Sequence, residues 1–249
     1  MTYCVGLCLD EGAVLLSDTR TNAGVDNIAV FSKMHVLDVP GQRTMALMTA
    51  GNLAVTQAVL ARVIEGAGIG IPAGDPPMTL YTAPTMYDAA RLVGDAIREV
   101  YKSDGEALAA QNFAFEASII LVGQIAGRRL RMFHIYSAGN FIESSVDTPF
   151  FQIGENKYGK PILDRVAQFD TPLHDAVKLA FISMDSTIRS NLSVGLPLDL
   201  FVYRRDALQI GLQRRIDDTD SYYGMIRSRW SEALRSAYRD LPTPDWMSA

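Results

Sequence analysis

The first fifty residues alternate short apolar runs with polar turns, a pattern that is typical of β-strands. The first predicted strand covers residues 3–9 and places Val5, Leu7 and Leu9 on one face, before a turn at 10–12. Further strands are predicted at 13–17, 28–31, 34–37 and 44–50, with 18–27 as a polar loop. The chain therefore begins with a predicted hairpin, although chain termini usually fray unless other structure holds them.

Helical periodicity follows residue 51 and returns in later blocks. Helices are predicted at 52–64, 84–102, 156–168, 172–190 and 221–238. Strands are predicted at 115–125, 130–136, 150–153, 198–203 and 208–212, and the Gly- and Pro-rich stretch 66–83 is predicted to be a surface loop. We expect Thr171 to cap the helix that starts with Pro172.

The order of these elements indicates the fold class. Strands and helices are grouped in blocks, which favours an α+β fold of two stacked antiparallel sheets with a helix layer outside each. No low-complexity linker or internal repeat divides the chain. We therefore expect a single domain over residues 1–249, in which 221–249 form a C-terminal helix and tail.

Composition excludes several classes of protein. Of the 249 residues, 48% are hydrophobic and 20% are charged, which is ordinary for a globular protein. The net charge is −5 without a basic stripe, so we expect no nucleic-acid partner. The densest apolar run, at 119–122, is too short to cross a membrane, and the N-terminus does not have the pattern of a signal peptide. We therefore expect a cytoplasmic protein without a membrane partner.

Cysteine and histidine usage gives no sign of a metal site. Cys4 and Cys8 lie four residues apart in a predicted strand, too far from each other for a disulfide, which fits a reducing compartment. His35, His134 and His174 do not have the spacing of metal ligands. The sequence also has no phosphate-binding loop, dinucleotide fingerprint or nucleophile elbow, so no cofactor is expected.

The N-terminus carries the remaining candidate chemistry. Met1 is followed by a small residue, Thr2, and an initiator methionine is normally removed in that context. Its removal would leave an α-amine and a hydroxyl on one residue, so that the amine could accept the proton of its own hydroxyl and activate it as a nucleophile. The alternative is that Thr2 is simply the second residue of an ordinary chain.

Several segments resemble a known family. Residues 2–12 (TYCVGLCLDEG), 14–20 (VLLSDTR), Lys33 and Ala50–Gly51 resemble the catalytic β-type subunits of proteasomes. Residues 17–27 (SDTRTNAGVDN) and 151–161 (FQIGENKYGKP) resemble the bacterial homologues called Anbu, the ancestral beta subunits. The resemblance covers nearly the whole chain. It implies a four-layer α-β-β-α sandwich of the N-terminal nucleophile hydrolase type.

The resemblance also implies roles for individual residues. Thr2 matches the N-terminal nucleophile, and Asp18 and Lys33 match the acid–lysine pair beside it. Gly51 matches the glycine whose backbone N–H faces the developing oxyanion. The alternative for Asp18 and Lys33 is a purely structural ion pair, and for Gly51 a glycine at the start of a helix.

Two further positions are candidates for substrate binding. Asn22 matches the position where the substrate backbone pairs by edge addition. Arg20 is expected to hold either Asp18 or the loop with which a substrate strand pairs.

The chain departs from the proteasome pattern at several positions. The spacing from Asp18 to Lys33 is one residue shorter, and Glu155 follows Gly154 where proteasomes have serine. The best match to Arg-Asp-x-x-Ser is 189–193, which has Ser190 in place of the acid and keeps Ser193. Glu155 and Ser193 are therefore further catalytic candidates, and the alternative for Glu155 is a surface residue at a helix start.

These inferences lead to one expected function and two alternatives. We expect a threonine-type peptidase that cleaves peptides or unfolded proteins without a cofactor. We also expect it to assemble into rings or open spirals. The sequence does not decide whether it works with an ATP-dependent unfoldase. One alternative is an N-terminal nucleophile amidase that acts on a small amide. The other is a weakly active or inactive self-assembling scaffold, which the departures at Glu155 and Ser190 favour.

Overall fold

The computed structural model describes residues 1–23, 27–66 and 77–247. In chain order, the strands within these ranges are β1 (Tyr3–Cys8), β2 (Gly12–Asp18), β3 (Arg20–Ala23), β4 (Asn27–Val30), β5 (Met34–Val39), β6 (Arg43–Gly51), β7 (Ala117–Ile125), β8 (Arg131–Ile135), β9 (Phe141–Glu143), β10 (Phe150–Gly154), β11 (Leu198–Arg204) and β12 (Leu212–Ile216). The helices are α1 (Leu53–Glu65), α2 (Met86–Ala110), α3 (Lys160–Val166), α4 (Leu173–Ser190) and α5 (Ser221–Asp240), and a short 3₁₀ turn covers Asp245–Met247.

Two five-stranded antiparallel sheets form the centre of the molecule. The first has the strand order β10-β1-β2-β11-β12, and the second has the order β5-β6-β7-β8-β9. The short strands β3 and β4 pair with each other as a separate ribbon. Because β1 is flanked by β2 and β10, the start of the chain is fixed in the interior of a sheet and does not fray.

Three apolar layers hold the elements together. The outer face of the second sheet packs on α1 and α2, with Leu47 and Leu121 among the buried side chains. The outer face of the first sheet packs on α3, α4 and α5, and it includes Val5, Leu7 and Leu9 as the strand pattern predicts. The inner faces of the two sheets pack on each other. The predicted α-β-β-α sandwich is therefore confirmed.

The two cysteines lie on the inner face of β1, between the sheets, and both are free and buried. Burial raises the pKa of the Cys8 thiol to about 11, and it raises the pKa of Cys4 further, so both side chains behave as small apolar core residues. No helix within the described residues has the length and apolar character that crossing a membrane requires.

Four local predictions are corrected by the structure. Residues 20–23 form a strand and not a loop. This strand pairs in the ribbon outside both sheets, so it lacks the alternation of apolar residues by which a strand is predicted. The last strand starts at Leu212 and not at 208, because residues 205–211 form the connection and the Leu208 N–H is bound by the Tyr203 hydroxyl. Strand β9 was not predicted because it has only three residues. Most of the predicted loop 66–83 lies outside the described residues.

The fourth correction concerns the start of α4. Pro172 occupies the N-cap position, and the predicted side-chain cap by Thr171 is absent there. The Thr171 hydroxyl instead accepts a hydrogen bond from the Gln168 N–H, at 3.0 Å. The carboxylate of Glu11 accepts the Leu173 N–H at 3.1 Å, so a side chain from the first hairpin satisfies the helix end. Such a long-range cap leaves no local sequence signal.

Candidate active site

A cleft of about 670 Å³ opens at the end of the sandwich where β2 and β6 end and β1 begins. The residues lining it include Thr2, Lys33, Gly51 and Gly154. Met1 also lines the cleft and is 63% exposed. Because Met1 is still attached, the nitrogen of Thr2 is part of a peptide bond and is not a free amine. Three of the residues that the sequence nominates for catalysis, Thr2, Lys33 and Gly51, therefore share one cleft.

Lys33, which lines this cleft, forms an ion pair with the buried Asp18. The Lys33 Nζ donates to Asp18 Oδ1 at 2.6 Å and to the backbone carbonyl of Arg20 at 2.7 Å. Asp18 is fully buried and Lys33 is 4% exposed. A buried carboxylate thus fixes the position of an ammonium group that borders the cleft.

Two backbone N–H groups also bind the Asp18 carboxylate. The Tyr3 N–H donates to Oδ1 at 3.0 Å, and the Gly195 N–H donates to Oδ2 at 3.4 Å. Burial raises the pKa of Asp18, and the Lys33 ammonium and these two N–H groups oppose that rise. Because Tyr3 directly follows Thr2, the same carboxylate orients both the lysine and the start of the chain.

Contacts on both sides hold the start of β1 in place. The Glu155 N–H donates to the Thr2 carbonyl at 2.7 Å. The buried Tyr3 hydroxyl lies 2.6 Å from the Ser183 Oγ on α4 and accepts a hydrogen bond from Gln152 Nε2 at 2.5 Å. Thr2 therefore directly precedes a strand that is held on both sides, which is what a positioned nucleophile requires.

Close backbone approaches require glycine at two positions of the site. Gly154 has φ of +81°, and a Cβ there would lie 2.0 Å from the Thr2 carbonyl oxygen. Gly51 has φ of +114°, and a Cβ there would lie 2.3 Å from the Glu116 carbonyl oxygen. Both glycines let one strand end pass close to another at the cleft.

Replacing Gly154 with alanine is expected to displace Thr2 and to lower the thermal unfolding midpoint further than the same change at Gly127. Gly127→Ala is the matched control: Gly127 has φ of +72°, but no atom lies within 4 Å of its Cβ position. Both variants carry the left-handed strain of about 1–2 kcal/mol, and only Gly154→Ala adds the clash. Thermal unfolding of the two variants measures the difference. Equal losses in the two variants would contradict this role of Gly154.

The Arg20 side chain is directed toward its own chain. Its Nη1 donates to the Leu192 carbonyl at 3.0 Å, and a Cβ on Gly195 would lie 2.3 Å from its Cζ. Arg20 therefore holds the segment that carries the Gly195 N–H to Asp18, and its part in substrate binding stays a prediction. Asn22 lies in β3 opposite Ile28, and its side chain is outside the described part of the chain.

Glu155 and Ser193 lie in a network beside Thr2, outside the cleft lining. The Glu155 side chain is 6% exposed, and its Oε2 accepts a hydrogen bond from Asn191 Nδ2 at 3.3 Å. Asn191 Oδ1 in turn accepts the Ser193 N–H at 2.9 Å. The structure thus connects both candidates to each other through Asn191, and Glu155 touches Thr2 through its backbone.

Sequence reasoning missed four residues that shape the site: Tyr3, Gln152, Ser183 and Gly195. Their contacts with the start of the chain or with Asp18 span 15 to 180 positions. Of these four residues, only Tyr3 could have been identified from the sequence. A large aromatic residue directly after a candidate nucleophile is suited to anchoring that part of the chain in the core.

Comparison with solved structures finds close relatives. The chain is 49% identical to the Gly-1 mutant of Anbu from Hyphomicrobium sp. strain MC1, over 98% of this chain and 100% of that chain, with a TM-score of 0.89. It is 47% identical to Anbu (ancestral beta-subunit) from Yersinia bercovieri, over 98% and 99%, with a TM-score of 0.88. It is 46% identical to Anbu from Pseudomonas aeruginosa, described as a helical assembly of the complex, over 98% of each chain, with a TM-score of 0.89. No family model and no curated protein matches the chain.

Proposed function

Because the chain belongs to the Anbu family of proteasome-like β subunits, with the fold of N-terminal nucleophile hydrolases, we propose that it is a threonine-type peptidase. The observation that carries the proposal is the buried Asp18–Lys33 pair, bonded at 2.6 Å beside a cleft that Thr2 also lines. Catalysis of this kind needs no metal, since one residue supplies the nucleophile and the base.

The reaction begins once hydrolysis of the Met1–Thr2 peptide bond has freed the Thr2 amine. An unperturbed α-amine has a pKa of about 7.7–8.0, so the freed amine can accept the proton of its own hydroxyl near neutral pH. The Thr2 Oγ1 then bonds to the carbonyl carbon of the scissile peptide, while the Lys33 ammonium favours the deprotonated hydroxyl. A tetrahedral intermediate with a negative oxygen results.

The backbone N–H of Gly51 stabilises that oxygen. The intermediate collapses when the scissile C–N bond breaks and the leaving amine takes the proton from the Thr2 ammonium. An ester on Oγ1 remains, and a water molecule loses a proton to the amine, attacks the ester and releases the carboxylic acid product. The amine and the hydroxyl of Thr2 are then restored.

We further propose that copies of this single-domain chain assemble into rings or open spirals in the cytoplasm, with the cleft facing inward. The Pseudomonas aeruginosa relative is described as a helical assembly. In this chain the second half of α5 and the tail after it expose apolar side chains, including Leu234, Tyr238 and Trp246. Exposed apolar residues of this kind are suited to a subunit contact.

The proposal is tested by reacting the purified protein with a blocked peptide electrophile and measuring its intact mass. We expect loss of Met1 and one adduct, which fragmentation places on Thr2. A processed protein without an adduct would contradict the peptidase, and labelling only by a small amide analogue would favour the amidase alternative. Light scattering on the same sample should detect an assembly, and a monomer at micromolar concentration would contradict the assembly proposal.

A further inference from the structure

Two of the described side chains that line the cleft carry a charge, those of Lys33 and Glu116. Of these two, Lys33 alone forms hydrogen bonds or an ion pair with other described residues. The Lys33 ammonium already binds Asp18 and the Arg20 carbonyl. Glu116 is exposed, and its carboxylate has no hydrogen bond or ion pair with any residue in 1–23, 27–66 or 77–247. An unpaired carboxylate in a substrate cleft is available to a cationic ligand group.

The backbone places Glu116 beside the glycine of the proposed oxyanion site. Its carbonyl accepts the Asn52 N–H at 2.9 Å, one residue beyond the pairing of Gly51 with Ala117. Side chains alternate along a strand, and Ile120 of β7 packs between the two sheets. Glu116, four positions earlier, therefore lies on the same side as Ile120, toward the cleft.

The other walls of the cleft are suited to the stem of a long cationic side chain. Thr49, Ala50 and Leu53 are uncharged, and Phe31 and Phe113 line the cleft with 41% and 63% exposure. Lysine and arginine pack their methylene groups on apolar surface and their charged ends favour aromatic faces. None of these walls would favour an acidic side chain.

We propose that Glu116 is a specificity-determining residue that favours a peptide with a basic side chain at the residue whose carbonyl Thr2 attacks. This inference rests on the proposed function, because the attacked carbonyl must lie near Gly51. Glu116 is exposed, so solvent and salt screen the interaction, and the expected preference is about fivefold. The preference falls as the salt concentration rises.

The test compares two N-acetylated peptides that differ only by arginine or citrulline before the cleaved bond. Citrulline keeps the shape of arginine without its charge. We expect a kcat/KM ratio of about five for the wild type, a ratio near one for Glu116→Gln, and a ratio below one for Glu116→Lys. Glu106→Gln is the matched control, since Glu106 is an exposed residue of α2 outside the cleft, and it should keep the wild-type ratio.

Binding provides a second measurement that does not depend on hydrolysis. The Thr2→Ala variant, with and without Glu116→Gln, is titrated with fluorescent forms of the same peptides. Equal affinity for both peptides would overturn the inference. Equal hydrolysis of both peptides by an enzyme that is labelled on Thr2 would also overturn it. In that case the peptidase proposal would stand and only the role of Glu116 would fail. A citrulline peptide with a free amino terminus that outperforms the blocked arginine peptide would also overturn it, because the cation would then be the terminal amine.

Discussion

Replacing Thr2 with alanine is expected to abolish acylation by a peptide electrophile and to lower peptide hydrolysis by at least about 10⁴-fold. The alanine variant keeps the amine after Met1 removal but has no hydroxyl, so no acyl-ester can form. Thr2 lines the cleft and is 9% exposed, and the change removes only its hydroxyl and one methyl group, so the thermal unfolding midpoint should change little. Rates of adduct formation and of peptide turnover measure the loss.

Two controls make this result specific. Thr2→Ser keeps both the hydroxyl and the amine, so it should still label at residue 2. Thr219→Ala removes a hydroxyl from an exposed turn outside the cleft and should label at the wild-type rate. Wild-type labelling by Thr2→Ala would show that another group is the nucleophile and would refute the proposed mechanism.

The sequence was informative where the site depends on local pattern. Alternation in 3–9 predicted β1 and a shared face for Val5, Leu7 and Leu9, and in the structure that face packs on the helices. The motif resemblance paired Asp18 with Lys33, and the two side chains are bonded at 2.6 Å. These features were accessible because each depends on residues close in sequence or on a short motif.

Other parts of the site depend on contacts that no local pattern encodes. The Gly195 N–H reaches Asp18 across 177 positions, and Gly154 is required by its approach to the Thr2 carbonyl in the pairing of β10 with β1. The availability of the Glu116 carboxylate depends on which residues surround the cleft. A single sequence shows the residue types at these positions but not their proximity.

Replacing Lys33 with alanine is expected to slow acylation by about 10³-fold and to lower the free energy of unfolding by about 3 kcal/mol at pH 8. The first effect follows from loss of the ammonium beside the nucleophile. The second follows because Asp18, which is fully buried, loses its charge partner. Lys102 is an exposed lysine of α2. The Lys102→Ala variant should keep the wild-type acylation rate and change the free energy of unfolding by no more than about 0.5 kcal/mol.

The pH dependence separates these two effects. Burial raises the pKa of Asp18, and in Lys33→Ala the ammonium no longer opposes that rise. The folded variant then binds a proton more tightly than the unfolded chain, so its stability increases as the pH falls and is lost as the pH rises through the folded pKa. Chemical denaturation between pH 5 and 8 should therefore show a deficit that shrinks toward about pH 5, and a deficit that grows toward acid would contradict the assigned pair.

A double variant, Asp18→Asn with Lys33→Met, distinguishes folding from chemistry. It removes both buried charges, and the amide oxygen that Asp18→Asn introduces can still accept the Tyr3 N–H, so part of the lost stability should return. Acylation should stay about 10³-fold below the wild type, because no ammonium borders the cleft. If the double variant recovered the wild-type acylation rate together with its stability, Lys33 would be a structural residue, and the catalytic role of the pair would have to be abandoned.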